Sequence, residues 1–247
     1  MRRLCILITG AGGNLGTKRR QQLSGHYRLV LTSLHSHGDP SIQPADLSSW
    51  DKRWVTLFKG VHTVIHLAAN PNHRATWTEL VRPNIDRVLN VYAACVANQV
   101  GRLIFASSNH VLSGYQGSAV PLLRSDTPPC PGNPYGITKL LGERIGKHCS
   151  DHYGISSINV RIGWNRKGHN PAPAPDTDTW SKPLWLSDRD YCQLMDCCIQ
   201  APATVRWAVI NGVSGNTGTP WDLSEARELV GYSPVDNALG GAGGGRS

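Results

Sequence analysis

Short, richly apolar runs alternate with polar segments of helix length over the first two thirds of the chain. The runs occupy residues 3–9, 27–33, 61–69, 102–107 and 158–162, and each predicts a buried strand. Strands that are apolar throughout are typical of parallel sheets covered on both faces. Among the segments between them, residues 84–98 predict a helix, with apolar side chains three and four positions apart. The alternation therefore predicts an α/β fold with a doubly wound parallel sheet.

The pattern changes after Gly163. A long loop rich in Pro, Asn and Asp is expected over residues 165–182, then a helix over 187–199 capped by Ser187, a strand over 205–210 and a helix over 223–230. We therefore expect a main α/β domain over residues 1–163, a smaller region over 164–238 packed on it, and a flexible glycine-rich tail over 239–247.

Composition and charge exclude several classes of protein. The 247 residues carry a net charge of +8, but Lys and Arg are scattered and no nucleic-acid-binding motif appears, so no nucleic-acid partner is expected. No apolar run approaches the roughly 20 residues of a membrane-spanning helix, and no signal-peptide cleavage site follows the first strand. We therefore expect a cytoplasmic protein without a membrane partner. The seven cysteines form no C-x-x-C pair, which argues against a metal site and favours small buried side chains.

Three glycines, Gly10, Gly13 and Gly16, lie between the first predicted strand and the helix that follows it. Glycine at such positions allows a tight turn and a close approach of the backbone to a pyrophosphate. The N-terminus of the helix offers free N–H groups to the phosphates. This strand–turn–helix context predicts a Rossmann-type site for NAD or NADP, with Asn14 and Leu15 within the turn.

The residues near the adenosine half of that site leave the choice of cofactor open. Sites that select NAD usually place an acid at the end of the second strand, where this chain has Ser33. Ser33 and His35, with Lys18 or Arg19 nearby, would tolerate a 2′-phosphate. The missing acid therefore favours NADP over NAD.

Tyr135 and Lys139 are four residues apart, so on a helix their side chains share one face. An ammonium beside a phenol favours the phenolate, and we expect Lys139 to lower the pKa of Tyr135 towards neutrality. Such a tyrosine can exchange a proton at physiological pH. Ser107 and Ser108 end a predicted strand, where open α/β sheets place their ligands, and Ser108 is expected to hydrogen-bond the reacting oxygen.

Several other residues have a structural as well as a functional interpretation. Asp46 and Leu47 precede a helix and either contact the adenine ring or cap that helix. His66 is either structural or functional, and His110, at a strand end that faces the cleft, is either structural or a substrate contact. Asn84 opens a predicted helix and is expected to stabilise it.

With the segment 66–69 and the late segment 223–234 added to these motifs, the sequence resembles the extended branch of the short-chain dehydrogenase/reductases, the NAD-dependent epimerase/dehydratase family. The resemblance covers residues 3 to about 238. Segments 105–110 and 160–163 are most similar to uronate dehydrogenases, which oxidise the C1 hydroxyl of a uronic acid with NAD. The family also implies pairing of two copies through the helices around Tyr92 and Lys139.

The resemblance implies a role for each site residue. Ser108, Tyr135 and Lys139 would be catalytic, and Asn109 and His110 would contact the sugar together with Ser108 and Tyr135. The cofactor site would comprise Gly10, Gly13, Asn14, Leu15, Gly16, Ser33, Asp46, Leu47, Leu67, Ala68, Ala69, Ser107, Tyr135, Lys139 and Ile162.

Two departures from uronate dehydrogenases bear on the substrate. Trp164 stands where those enzymes have a Ser after Arg-Ile-Gly, and no Arg in the loop matches the one that clamps the substrate carboxylate, since Arg166 and Lys167 lie out of register. The sequence therefore predicts an NAD(P)-dependent dehydrogenase that oxidises a hydroxyl of a free sugar or uronic acid, with Tyr135 as the base. A nucleotide-sugar epimerase or dehydratase with tightly bound NAD and a non-catalytic dinucleotide sensor are the alternatives.

Overall fold

The computed structural model describes residues 3–118, 122–174 and 177–239. Its centre is a seven-stranded sheet in which all neighbouring strands are parallel. The strands are β1 (Cys5–Thr9), β2 (Arg28–Ser33), β3 (Ile42–Pro44), β4 (Thr63–His66), β5 (Arg102–Ser108), β6 (Ser156–Ile162) and β7 (Trp207–Gly212), in the order β3-β2-β1-β4-β5-β6-β7. The strand order reverses between β1 and β4, and open sheets of this kind bind ligands at the carboxyl ends of the strands beside that point.

Helices cross between consecutive strands on both faces of the sheet. They are α1 (Asn14–Leu23), α2 (Lys52–Val55), α3 (Trp77–Leu80), α4 (Arg87–Ala97), α5 (Pro134–Tyr153), α6 (Asp188–Gln200) and α7 (Ser224–Val230). A π-helical turn (Val81–Asp86) joins α3 to α4, and a 3-10 helix (Asn109–Tyr115) follows β5 directly. The 3-10 helix therefore starts at the edge of the sheet where ligands are expected.

Two separate apolar layers hold the helices to the sheet. One layer contains side chains of α1, α6 and α7 together with Ile6 and Ile8 of β1. The other contains side chains of α2 and α4 together with Leu7 of β1 and Leu103 of β5. Successive residues of β1 point to opposite faces and are all buried, which explains why the strand is apolar without alternation. The predicted α/β fold with a doubly wound parallel sheet is confirmed.

Most of the predicted elements are present, with shifted ends. The strand predicted over 61–69 ends at His66, because the chain then leaves the sheet to pack against the glycine turn. The helix predicted over 187–199 is α6, and Ser187 caps it by accepting a hydrogen bond from the N–H of Asp190. The sequence pattern does not predict β3, because its three residues include one buried side chain and give no apolar run.

The helix predicted from Asn84 begins earlier, so the expectation that Asn84 opens it is wrong. The helical path starts at Trp77 in α3, and Asn84 lies inside the π-helical turn. Pro83 lies in the same turn, and proline has no N–H to continue a regular helical ladder. Single π turns within helices are frequent at functional sites, and this one brings Asn84 into contact with α5.

The sequence also makes predictions about the pairing of two copies, the C-terminal tail and membrane-spanning helices. Tyr92 and Lys139 are buried, whereas Leu89, Ile137 and Leu141 of the same two helices are exposed. The pairing of two copies through α4 and α5 stays a prediction. The predicted tail beyond Leu239 lies outside the described residues, and within the described ranges no helix has the length and hydropathy to cross a bilayer.

A buried ionic cluster joins α5 to the centre of the sheet. Glu143 accepts hydrogen bonds from Arg161 of β6 at 2.9 and 3.0 Å and from the hydroxyl of Ser107 at 2.6 Å. Glu143 follows Tyr135 and Lys139 at successive intervals of four residues, so all three lie on the α5 face that packs on the sheet. The cluster therefore fixes the position of that helix face.

We expect Arg161→Leu to lower the free energy of unfolding by about 3 kcal/mol, because it leaves the buried Glu143 carboxylate without its cation. Urea denaturation of the variant measures this loss. The control is Arg53→Ala, which breaks an exposed ion pair with Asp51 and should leave the midpoint unchanged. Equal midpoints for the two variants would contradict a stabilising role for the buried cluster.

Candidate active site

The carboxyl ends of the central strands bring the predicted site residues to one edge of the sheet. The glycine turn follows β1, residues 67–69 follow β4, and Ser108 and Ile162 end β5 and β6. Ser108 and Ile162 are paired in register across these two strands. Residues that are far apart in sequence therefore meet at one edge of the sheet, over β1, β4, β5 and β6.

Close backbone packing shapes the glycine turn. Gly10 has a φ of +70°, and a Cβ there would lie 2.8 Å from the N atom of Ala68. At Gly16 a Cβ would lie 2.3 Å from the carbonyl oxygen of Gly10, so α1 packs directly on the turn. Gly13 occupies the N-cap position of α1 and has no side chain to bond the first N–H groups. These groups remain available to the phosphates of a dinucleotide, so the turn fits such a cofactor.

A segment after β6 lies across the first turn of α1, which the sequence did not indicate. Asn14 donates hydrogen bonds from Nδ2 to Asn165 Oδ1 and to the carbonyl of Arg166, both at 3.1 Å. Lys18 donates to the same carbonyl at 2.8 Å and to Asp188 of α6 at 2.7 Å. The contacts join residues about 150 positions apart, so no local pattern could predict them.

The end of β2 borders the glycine turn. The two cations predicted near Ser33, Lys18 and Arg19, are bonded to carboxylates of α6. A Cβ at Gly12 would lie 2.8 Å from the His37 ring and 3.5 Å from Ser33 Oγ, so these two side chains border the turn. Lys18 is engaged by α6, and buried Arg19 pairs with Asp196 of α6. Carboxylates of α6 thus occupy both cations, which argues against the expectation that Lys18 or Arg19 helps Ser33 to accept a 2′-phosphate.

Asp46 does not cap the following helix, so the alternative interpretation of this residue is wrong. The cap of α2 is Asp51, which accepts a hydrogen bond from the N–H of Arg53 at 2.8 Å. Asp46 instead accepts from Ser48 and pairs with Arg82 at 3.1 Å, and these interactions hold its pKa below the usual value. Leu47 is buried. A contact of this pair with adenine stays a prediction.

Ser108, Tyr135 and Lys139 converge as the sequence predicts. Tyr135 is buried, and the neighbouring Ser108 hydroxyl favours the charged form of its phenol. Lys139 Nζ lies 5.5 Å from the centre of the Tyr135 ring and donates to the carbonyl of Ala106 at 2.7 Å. The three side chains therefore share one small volume at the end of β5.

The expected direction of the Tyr135 pKa shift is wrong. Burial raises the pKa of Tyr135 to about 12, and the hydrogen bond with Ser108 opposes this only in part. Burial also lowers the pKa of Lys139 to about 7, which weakens its ability to stabilise a phenolate. The sequence argument considered the neighbouring charge, whereas the low polarity of the surroundings dominates.

The 3-10 helix after β5 positions the two predicted sugar contacts. Asn109 Oδ1 accepts a hydrogen bond from Ser108 Oγ, and the backbone N–H of His110 donates to the same hydroxyl, each at 3.2 Å. A Cβ at Gly136 would lie 2.4 Å from the His110 carbonyl oxygen, so the first turn of α5 packs directly on this helix. His110 therefore contacts the edge of the Tyr135 ring, with ring centroids 5.6 Å apart.

Several predicted residues have their polar groups occupied by the fold. The Ser107 hydroxyl donates to Glu143, so it is not available to a ligand. The buried His66 is bonded through Nδ1 to the Thr9 hydroxyl at 2.7 Å. Asn84 donates to Thr138 Oγ1 of α5 at 3.2 Å and accepts from the N–H of Asn70 at 2.7 Å. Asn84 thus connects the loop after β4 to α5.

Trp164 lies just after β6, and its indole is half-buried, with the guanidinium of Arg166 4.4 Å from the ring centroid. The described part of the chain holds no group of three or more His, Cys, Asp or Glu side chains that could bind a metal ion.

Comparison with known proteins agrees with this geometry. The model of the NAD dependent epimerase/dehydratase family matches residues 6–174, which are well over half of the chain. The chain belongs to this family. The predicted family is therefore confirmed, and so is the prediction of an NAD(P)-dependent dehydrogenase, for which NAD is the supported cofactor, whereas the preference for NADP stays a prediction.

Individual members of the family are similar over almost the whole chain. NAD-dependent glucose-6-phosphate dehydrogenase of Haloferax volcanii is 33% identical, with 94% of each chain covered. L-arabinose 1-dehydrogenase (NAD(P)+) of the same organism is 32% identical over 94% of this chain and 97% of its own. The crystal structure of uronate dehydrogenase from Agrobacterium tumefaciens superposes with a TM-score of 0.81 at 29% identity, covering 96% of this chain and 86% of that one.

We expect Gly16→Ala to weaken NADH binding at least about tenfold, because the new Cβ must push the Gly10 carbonyl and the turn apart. Titration of NADH followed by fluorescence measures the dissociation constant. The control is Gly25→Ala, since a Cβ there meets nothing within 4 Å. Unchanged NADH affinity in Gly16→Ala, with an unchanged melting temperature, would show that the turn does not hold the cofactor.

Proposed function

We propose that the protein is an NAD(P)-dependent dehydrogenase that oxidises a hydroxyl group of a free sugar or sugar acid. The observation that supports this proposal is the placement of Ser108, Tyr135 and Lys139 together at the end of β5, at the same edge of the sheet as the glycine turn. A proton-transferring group beside a dinucleotide site is the arrangement that alcohol oxidation requires.

Ser108 and Tyr135 divide the work on the reacting hydroxyl. The Ser108 hydroxyl orients the sugar oxygen, and Tyr135 takes the proton of that oxygen as the C–H bond of the same carbon breaks. NAD or NADP, when bound, would supply the hydride acceptor. The carbinol would lose the proton of its hydroxyl to Tyr135 and the hydrogen of its carbon as hydride, and would become a carbonyl, or a lactone if it is the anomeric hydroxyl of a sugar.

Lys139 is proposed to act on the cofactor side of Tyr135. Its amine is fixed by the hydrogen bond to the Ala106 carbonyl, which leaves further N–H donors for the nicotinamide ribose. A protonated Lys139 stabilises the negative charge of the Tyr135 phenolate, whereas a neutral Lys139 does not. Ile162, which ends β6 beside Ser108, is proposed to line the nicotinamide pocket.

A free sugar suits the chain better than a nucleotide sugar. Much of the sequence after Gly163 is used by β7, α6 and α7, which complete the sheet and its apolar cover. Residues 164–238 therefore offer little material for a second nucleotide pocket, and we propose that they form one side of a small sugar site. The relatives named for glucose 6-phosphate and L-arabinose act on sugars without a nucleotide, which supports this choice.

We also propose that the protein accepts NADP as well as NAD. The end of β2 presents Ser33 and no carboxylate, and the nearest acid along the chain, Asp39, is bonded to Arg20 and Ser41. No negative charge at Ser33 therefore repels a 2′-phosphate. One similar relative, L-arabinose 1-dehydrogenase, carries NAD(P)+ in its name.

Purified protein mixed with a panel of aldoses, sugar phosphates and uronates should produce reduced cofactor, seen by its absorbance. Tyr135→Phe should lower kcat about a hundredfold or more while the cofactor still binds. Since the pKa of Tyr135 lies above its ordinary value, the base form is scarce at neutral pH and the oxidation rate should rise from pH 6 to pH 9. An epimerase would instead hold NAD through purification and need none added. Full activity in Tyr135→Phe would contradict the proposal.

Ser33→Asp should reduce kcat/KM for NADP relative to NAD by about tenfold or more, because the new carboxylate repels the 2′-phosphate and accepts hydrogen bonds from the NAD ribose. Initial rates with both cofactors measure the ratio. Ser24→Asp adds the same charge at the far end of α1 and should leave the ratio unchanged. Equal ratios in the two variants would refute the assignment of Ser33.

A further inference from the structure

Asn133 connects the N-terminus of α5 to the side chain of His110. Its Oδ1 accepts a hydrogen bond from the backbone N–H of Gly136 at 2.9 Å, which makes Asn133 the cap of α5. Its Nδ2 lies 2.9 Å from Nδ1 of His110. One side chain therefore reaches both the catalytic helix and a residue of the proposed sugar site.

The chemistry of these two contacts fixes the proton on His110. A backbone N–H can only donate, so the Asn133 atom that faces Gly136 must be the amide oxygen. The atom that faces His110 must then be the NH₂ group, which can only donate. Nδ1 of His110 must accept with its lone pair, and the neutral imidazole carries its hydrogen on Nε2.

The surroundings of His110 keep the ring neutral. The His73 ring, from the loop after β4, stacks on it with centroids 4.9 Å apart, and Tyr135 of α5 meets it edge to face. Among the described residues, other polar groups bonded to His110 are the Ser108 and Ser113 hydroxyls, which bond its backbone, and the Asn133 amide. Burial, helped by His73, lowers the pKa of His110 to about 4. A proton on Nδ1 would face the NH₂ group of Asn133, and the repulsion between these two donors also favours the neutral ring.

We propose that Asn133 is a positioning residue that holds His110 as a neutral Nε2–H donor, and that His110 in this form recognises an acceptor oxygen of the sugar. The nature of the ligand rests on the proposed function, whereas the protonation of the ring does not. A ring whose Nδ1 is occupied and whose Nε2 already bears hydrogen cannot take the proton of the reacting hydroxyl. Tyr135 is then the single destination for that proton, although His110 lies against it.

The protonation of the wild-type ring is measured by nuclear magnetic resonance on protein labelled with ¹⁵N-histidine. Long-range ¹H–¹⁵N correlations separate a nitrogen that bears hydrogen from one that does not. The signals of His110 among the 10 histidines are the ones that disappear in His110→Gln. We expect Nε2–H with a bare Nδ1, unchanged from pH 8 down to pH 6. A hydrogen on Nδ1 in this range would overturn the proposal.

Asn133→Asp is the sharpest variant, because Asp caps a helix as well as Asn does and the fold is retained. The introduced carboxylate can only accept, so Nδ1 of His110 must gain a hydrogen. We expect the ring signals to invert or to titrate between pH 5 and 8. We also expect the KM for the sugar to rise about tenfold, while the dissociation constant for NADH stays unchanged.

Asn133→Ser is the matched control, because Ser also caps the helix but its single hydroxyl cannot serve Gly136 and His110 together. It should give a mixture of ring forms and a smaller rise in KM. Ring signals and sugar KM that stay at the wild-type values in Asn133→Asp would overturn the proposal. If the wild-type protein shows the expected ring form but oxidises no sugar, the assignment of the tautomer holds and the proposed function fails.

Discussion

The site depends on the close packing of the first two turns of α5 against the end of β5 and the 3-10 helix that follows it. Gly136 has no side chain, so the backbone of α5 touches the His110 carbonyl, and Lys139 bonds the Ala106 carbonyl from the next turn. One turn further on, Glu143 takes hydrogen bonds from Ser107 and Arg161. These contacts fix the distance between Tyr135 and the strand end that carries Ser108.

The proposed cofactor site and the proposed reacting residues lie at the same edge of the sheet. The glycine turn after β1 leaves the first N–H groups of α1 free for an anion, and residues 165–166 bind to Asn14 and Lys18 of that helix. The proposed reacting side chains, Ser108 and Tyr135, lie two strands away, at the end of β5 and in α5. A dinucleotide with its pyrophosphate at the glycine turn would extend its adenosine towards β2 and its reactive ring towards β5. The fold supplies the geometry, and a few strand-end side chains supply the chemistry.

The sequence predicts what depends on local spacing and misses what depends on tertiary surroundings. The glycine turn, the Tyr135–Lys139 pair and the strand ends can all be identified because each is a short pattern within one element. The pKa of Tyr135 is predicted in the wrong direction, because burial is set by residues distant in sequence. Lys18 and Arg19 are misplaced for the same reason, since their partners lie in α6. The roles of Asn84 and Asn133 depend on contacts with Thr138 and His110, which no spacing rule contains.

The central claim is that Tyr135 and Ser108 hold one sugar oxygen beside the nicotinamide. A crystal structure of the protein with oxidised cofactor and a sugar that it oxidises tests this most directly. We expect both hydroxyls within hydrogen-bond distance of the same sugar oxygen, on the carbon that faces the nicotinamide ring. A complex in which the Tyr135 hydroxyl points away from the sugar, or in which the cofactor lies outside the crevice over β1 and β4, would contradict it.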